Sequence, residues 1–322
     1  MGAEPISPTL ISLTQKNAGD RQRVIIEWLL SNVCNYSCSY CPAYLHDGRV
    51  RWPRYDDIIR FCRRVVSHYS GKQATFLLSG GEITLYRELP RLAGELRGLG
   101  AAVALLTNGS RPVGWWLENA GLFDEVIVSY HHERADDEHL LEVVRLLAQA
   151  SRVQVNVVID PSAFDLTMRF SELVETRTNA VLNRKVMFRD SWKRVAEYSP
   201  AQRERLAAAL GRESAQASRG EAGSVLKSDL LATYQDGETR TVTALQLISE
   251  DLNHWEGWDC AVGEETLFIR FDEVWRSVCR VGNRIGTIYD EDLALPRGNI
   301  KCTAASCNCI AGIKATKSIA AL

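Results

Sequence analysis

Cys34-Asn35-Tyr36-Ser37-Cys38-Ser39-Tyr40-Cys41-Pro42 follows directly on Arg23–Leu30, an apolar, β-branched run that reads as a strand. Working outward, five more strand-like runs follow: 74–79, 102–107, 125–130, 152–159 and 181–188. Amphipathic stretches at 56–69, 88–99, 113–119, 138–149 and 165–176 fill the gaps. In the fourth of these, Leu140, Val143, Val144 and Leu147 recur at helical spacing. Strands alternating with helices imply an α/β fold with a parallel sheet and right-handed crossovers. The cysteine loop then sits at the carboxyl end of the first strand, where such folds build their sites. Periodicity leaves open whether the sheet is doubly wound or a partial barrel.

The chain has 322 residues and a formal net charge of −2, so no strong field draws it to nucleic acid or an anionic membrane. No apolar run is long enough to span a bilayer, and residues 1–20 lack the pattern of a signal peptide. The expected location is the cytoplasm, where thiols stay reduced. The nine cysteines are uneven: 34, 38 and 41 lie together, 260, 279, 302, 307 and 309 fall in the last quarter, and Cys62 stands alone. Two dense groups read as two metal sites rather than as disulfides.

Full ligation of a [4Fe–4S] cluster takes four cysteines. A triplet leaves one iron open, and an open position is what a catalytic metal needs. CxxxCxxC with Tyr40 before the last cysteine resembles the radical S-adenosylmethionine (SAM) superfamily. That resemblance implies a partial (β/α)6 TIM-like barrel over residues 22–190, with Cys34, Cys38 and Cys41 holding the cluster. It also implies SAM-binding roles elsewhere. Gly80, Gly81 and Glu82 resemble the motif that binds the SAM amino group. Asn108 lies in a Thr-Asn-Gly step, Ser129 precedes Tyr130-His131 at a strand end, and Asn156 sits on the fifth strand. Tyr40 is expected to pack on the adenine.

Beyond residue 190 the alternation stops. A short helix fits 200–210, and 211–224 reads as a linker, so 191–229 forms a helix-and-linker segment. Residues 230–242 read as a hairpin turning at Asp236-Gly237, and 266–278 as a second hairpin between Cys260 and Cys279. The tail, 230–322, resembles the twitch or SPASM extensions of radical SAM enzymes, which hold an auxiliary [4Fe–4S] cluster. The resemblance implies Cys260, Cys279, Cys307 and Cys309 as ligands, with Cys302 spare. Zinc is the alternative occupant. The turn Phe271-Asp272-Glu273-Val274 departs from the glycine usual there, which leaves the hairpin geometry open.

In the family, a reduced cluster cleaves SAM and the resulting radical abstracts hydrogen from a C–H bond. A flavodoxin- or ferredoxin-type electron donor is implied. The loop sequence, the following His46-Asp47-Gly48 and the tail spacing resemble small antibiotic-glycoside epimerases of the avilamycin and neomycin type. The expected reaction is therefore epimerisation of a natural-product sugar, with Cys302 as hydrogen donor. The alternatives are radical dehydrogenation, ribosomal-peptide modification, and a non-enzymatic Fe–S protein that binds SAM. Only about twenty residues precede the first expected strand.

Overall fold

The computed structural model describes residues 9–189, 194–220, 224–226, 229–279 and 284–319. In chain order the strands are β1 (Leu10–Gln15), β2 (Arg23–Leu29), β3 (Gln73–Ser79), β4 (Ala102–Thr107), β5 (Glu125–Tyr130), β6 (Arg152–Ile159), β7 (Val181–Val186), β8 (Phe188–Arg189), β9 (Arg194–Val195), β10 (Leu230–Tyr234), β11 (Thr239–Val242), β12 (Asp259–Cys260), β13 (Thr266–Arg270), β14 (Glu273–Trp275), β15 (Gly286–Thr287), β16 (Ile300–Lys301) and β17 (Lys317–Ser318). The helices are α1 (Ala18–Arg21), α2 (Tyr55–His68), α3 (Leu89–Gly98), α4 (Val113–Asn119), α5 (Asp137–Leu147), α6 (Phe164–Arg177), α7 (Pro200–Gly220), α8 (Ala244–Ser249) and α9 (Ile310–Ile313). The chain forms two compact units: residues 29–55 with 77–225, and residues 1–28 with 56–76 and 226–322. None of the described helices is long and apolar enough to cross a membrane.

In the unit of 29–55 and 77–225, β4, β5, β6 and β7 lie side by side in parallel register. Val103, Ala104 and Leu105 on β4 and Val126 and Val128 on β5 are fully buried, as strands covered on both faces require. Helix α5 shows why the segments between them are helical. Asp136 caps it, accepting from His139 N–H at 2.8 Å, with Asp137 and Glu138 in the first turn and Arg145 in the last. Its Leu140, Leu141, Val143, Val144 and Leu147 are buried, each contributing roughly 1.5–3 kcal/mol. This is the mixed α/β fold with a parallel sheet that the alternation predicts.

The other unit holds a six-stranded sheet in the order β11-β10-β1-β17-β12-β16. The 230–242 hairpin forms as expected, with Gly237 at φ +85° in the turn. The sheet packs over Leu13, Leu230, Leu247, Trp255, Val262 and Ile313. Strand β1 has no counterpart in the sequence reading, because its edge to the tail is made by pairing with β10 and β17, hundreds of residues away. Helix α7 runs on to Gly220, where a linker was expected from 211. Ala, Glu, Gln and Arg dominate that stretch, and their propensity outweighs the interior Gly211, the other glycine, Gly220, standing at the helix end. The second hairpin closes without glycine: Phe271 adopts φ +62°, and its carbonyl accepts from Trp28 Nε1 at 2.9 Å.

Candidate active site

The cysteine loop leaves β2 and is held by the ends of later strands. Ser31 Oγ donates to Val50 O at 2.7 Å, and Asn32 Nδ2 to Asp47 Oδ1 at 2.6 Å, which folds residues 46–50 back against the root of the loop. The loop itself is braced from β4 and β5. Asn35 Nδ2 donates to Ser110 Oγ at 2.9 Å, and Asn108 Nδ2 donates to Asn35 Oδ1 at 3.0 Å. Ser39 N–H donates to Glu133 at 2.8 Å, its hydroxyl bonds the same carboxylate, and Arg134 donates to Ser37 Oγ at 2.9 Å. Glu133 is held below the usual carboxylate range, chiefly by the Ser39 hydroxyl.

Cys38 is buried, and Cys34 and Cys41 are half-buried. Burial pushes all three upward; Glu82 adds to it at Cys34, Glu133 and Cys34 add to it at Cys38, and Cys38 and Cys34 bring Cys41 to about 11. Tyr36 N–H donates to Cys34 Sγ at 3.3 Å. Three thiols within electrostatic reach of one another, with a backbone donor aimed at one sulfur, fit an anionic iron–sulfur group. Among the described residues, no three His, Cys, Asp or Glu side chains converge closely enough to chelate a single ion.

Tyr40 lies against two histidines that follow β5. Its hydroxyl is 2.9 Å from His131 Nδ1, and its ring stacks on His131 and His132 at centroid distances of 6.0 and 5.6 Å. Burial, then the neighbouring His132, lowers His131 to about 4, so its ring is neutral at pH 7. His132 Nε2 stands 3.5 Å from the buried Asp160. Nothing in the sequence marked Asp160. It is brought in because β6 ends beside β5.

Gly80 and Gly81 are glycines for a local reason. A Cβ at Gly80, which has φ +147°, would lie 2.4 Å from Ser31 O, and one at Gly81 would lie 2.3 Å from Val33 O. Gly81 and Glu82 N–H donate to those same carbonyls at 2.9 and 2.7 Å. The close approach is thus to the backbone that leads into Cys34. Glu82 is fully buried. Its Oε1 accepts from Thr84 N–H, Thr84 Oγ1 and Thr107 Oγ1 at 2.9, 2.6 and 2.8 Å, and its Oε2 from Asn108 N–H at 2.6 Å.

Ser129 and Asn156 are direct neighbours in register, and Asn183 continues the row on β7. Asn156 Oδ1 accepts from Gln154 Nε2 at 2.8 Å and from Asn183 Nδ2 at 3.1 Å. Gln154 and Asn183 were not legible as site residues, since lone polar residues on strands carry no motif. Parallel strands rarely carry a polar row unless a ligand or water faces it.

The five tail cysteines come together in the other unit. Cys260, Cys302 and Cys307 are buried in its apolar core, with Cys279 packed against it. Gly312 is the meeting point: its N–H donates to Cys309 Sγ at 3.4 Å, and a Cβ there would lie 3.3 Å from Cys307 Sγ and 3.5 Å from Cys279 Sγ. Burial pushes Cys307 up to about 12 and Cys309 to about 11, with Cys279 in range of both. Cys260 is also raised by burial, and Cys302 and Cys279 add to that. Cys302 is thus within electrostatic range of Cys260, as Cys279 is.

Residues 28–157 match the Radical SAM superfamily. No curated protein sequence matches the chain. Among solved structures the fold is similar to anSMEcpe with bound AdoMet and the Cp18Cys peptide. Identity there is 15%, over 83% of this chain and 78% of that one, with a TM-score of 0.53. It is also similar to Streptococcus suis SuiB bound to the precursor peptide SuiA, at 12% identity over 84% of this chain and 64% of that one, TM-score 0.53. The matched stretch carries the cysteine triplet, the Gly-Gly-Glu turn, Asn108, Ser129 and Asn156. The superfamily matched by residues 28–157 implies one [4Fe–4S] cluster and SAM.

Proposed function

We propose that this protein is a radical SAM enzyme that abstracts hydrogen from a sugar carbon of a natural-product glycoside, the abstracted atom leaving in 5′-deoxyadenosine, while a thiol gives a different hydrogen to the other face. Supporting the first part is the cysteine loop, pinned at Asn35, Ser37 and Ser39 by the ends of β4 and β5. Cys34, Cys38 and Cys41 would hold a [4Fe–4S] cluster, which when bound would supply the electron for reductive SAM cleavage. The chain's own residues position and enclose. Ser129, Asn156 and Asn183 offer a row of hydrogen-bonding groups to the SAM ribose or methionine, or to substrate hydroxyls. Neutral His131 and Tyr40 form an aromatic wall without a charge that would hold water. Glu82 acts through the strand ends it ties. The tail cysteines 260, 279, 307 and 309 hold a second cluster, and Cys302 is the fifth thiol, free to donate hydrogen.

Anaerobically reconstituted protein is expected to carry about eight irons, from two [4Fe–4S] clusters. About four irons with one zinc would assign the tail to zinc instead. Assayed in D2O with candidate glycosides, the product should carry one deuterium at the inverted carbon, because a thiol exchanges with solvent. Cys302→Ala should keep both clusters and SAM cleavage yet yield no inverted sugar. Product without solvent deuterium, or loss of tail iron in that variant, removes Cys302 as donor.

A second reading is modification of a ribosomal peptide. It is favoured by two similar folds, anSMEcpe and SuiB, both solved with peptides bound. Turnover of a peptide but of no glycoside in the same assay would select it.

A further inference from the structure

Lys317 has less solvent exposure than any other lysine described, at 1%. It lies on β17, directly opposite Cys260 on β12, so the two side chains share one face of the sheet. Its Nζ donates to Gly312 O at 2.5 Å, Ala315 O at 2.7 Å and Ile313 O at 3.0 Å. Three carbonyl acceptors use all three N–H bonds of an ammonium. The Trp255 ring lies beneath it, 4.7 Å from Nζ to the centroid. Among the described residues no carboxylate pairs with it.

A buried ammonium without a counter-charge is costly, and carbonyl dipoles and a π face offset that only in part. The buried Glu265 carboxylate accepts from Thr316 N–H at 3.0 Å, next to Lys317 in the chain, while the Cys260 thiol shares the face on which Lys317 lies. Gly312, whose carbonyl Lys317 holds, is the residue on which Cys279, Cys307 and Cys309 converge. One carboxyl, Glu27, lies within electrostatic range of Cys309.

We infer that Lys317 is the buried counter-cation of an anionic thiolate-bound group in the tail, and that it raises the reduction potential of a cluster bound there. This rests on the proposal that the tail cysteines hold an iron–sulfur cluster. A fixed positive charge stabilises the reduced, more negative state, so the tail cluster takes an electron more readily than it would without Lys317. The catalytic loop has the opposite surroundings. The Glu133 carboxylate bonds Ser39, next to Cys38, and the Glu82 carboxylate is linked through Asn108 to Asn35, next to Cys34.

The test is an EPR-monitored redox titration of reconstituted holoprotein. In the wild type, the tail cluster is expected to be reduced at the higher potential of the two. Lys317→Gln keeps donors for the carbonyls and removes the charge. At a fixed potential its tail cluster should show about a tenfold lower ratio of reduced to oxidised, which is ~59 mV for one electron. Lys317→Arg keeps the charge and should stay near the wild type. Catalytic-cluster reduction ahead of the tail cluster in the wild type would overturn the inference, whatever the variants do. So would an unshifted tail potential in a Lys317→Gln protein with full iron. A wild type holding only about four irons sinks the two-cluster proposal itself, and is told apart by the iron count before any titration.

Discussion

Replacing Cys34, Cys38 and Cys41 together by alanine is expected to abolish reductive SAM cleavage and to leave about half the iron. The three thiols have neighbours that only a bound group rationalises. Cys34 and Cys38 lie close enough to Cys41 that both raise its tendency to stay protonated, and Tyr36 N–H is aimed at Cys34 sulfur. Once the thiols are gone, nothing in the loop can replace them, because Asn35, Ser37 and Ser39 are all committed to the brace. The tail cysteines lie in the other unit, with their own core, so their iron should remain. The measurement is 5′-deoxyadenosine formed from SAM under dithionite, alongside iron per chain. Continued 5′-deoxyadenosine release by the triple variant would show that the loop does not hold the reactive cluster. Loss of all iron would mean that the two sites are not independent.

The sequence was most legible where one local rule decided the outcome. Helix α5 shows a cap, an acidic start and a clear apolar period, and its observed ends differ by only a residue or two from those read off the pattern. The cysteine loop was legible because three thiols at that spacing have few other uses. What stayed hidden depends on partners distant in the chain. Strand β1 is a short run of mixed residues whose identity as a strand comes from β10 and β17. Asp160, Gln154 and Asn183 enter the site only because parallel pairing aligns β5, β6 and β7. Lys317 is a plain lysine in sequence, and its burial is fixed by the register that sets it opposite Cys260. The glycines of the Gly-Gly-Glu turn were read as part of a SAM-binding motif, and the structure shows a local close approach that requires them. The partner in that approach is the Ser31–Val33 backbone, which composition cannot name.

Glu82→Ala is expected to lower the stability of the protein even when no SAM is present, by roughly 3–5 kcal/mol. The fully buried carboxylate accepts hydrogen bonds from Thr84, Thr107 and Asn108. Truncation leaves those donors facing an empty space in the interior, and an orphaned buried donor costs far more than a hydrogen bond usually contributes. For a unit of this size each kcal/mol lowers the melting temperature by about 2–4 °C, so a drop on the order of 10 °C should appear in a thermal melt of cluster-free protein. The effect should spread to the cysteine loop. Asn108 N–H is bonded to Glu82 while its side chain holds Asn35, so freeing the end of β4 loosens the segment between Cys34 and Cys38. Reconstituted Glu82→Ala should therefore lose iron from the catalytic site in proportion to its instability. Glu82→Gln retains the shape and one acceptor oxygen, but sets an amide N–H₂ against donors on one side, and should fall between the two. A carboxylate that served only the SAM ammonium would behave differently, since its loss would leave the ligand-free melt untouched and change SAM affinity alone. An unchanged melt with weakened SAM binding would thus return Glu82 to the ligand, and a lowered melt makes it the clamp that joins β3, β4 and the cysteine loop.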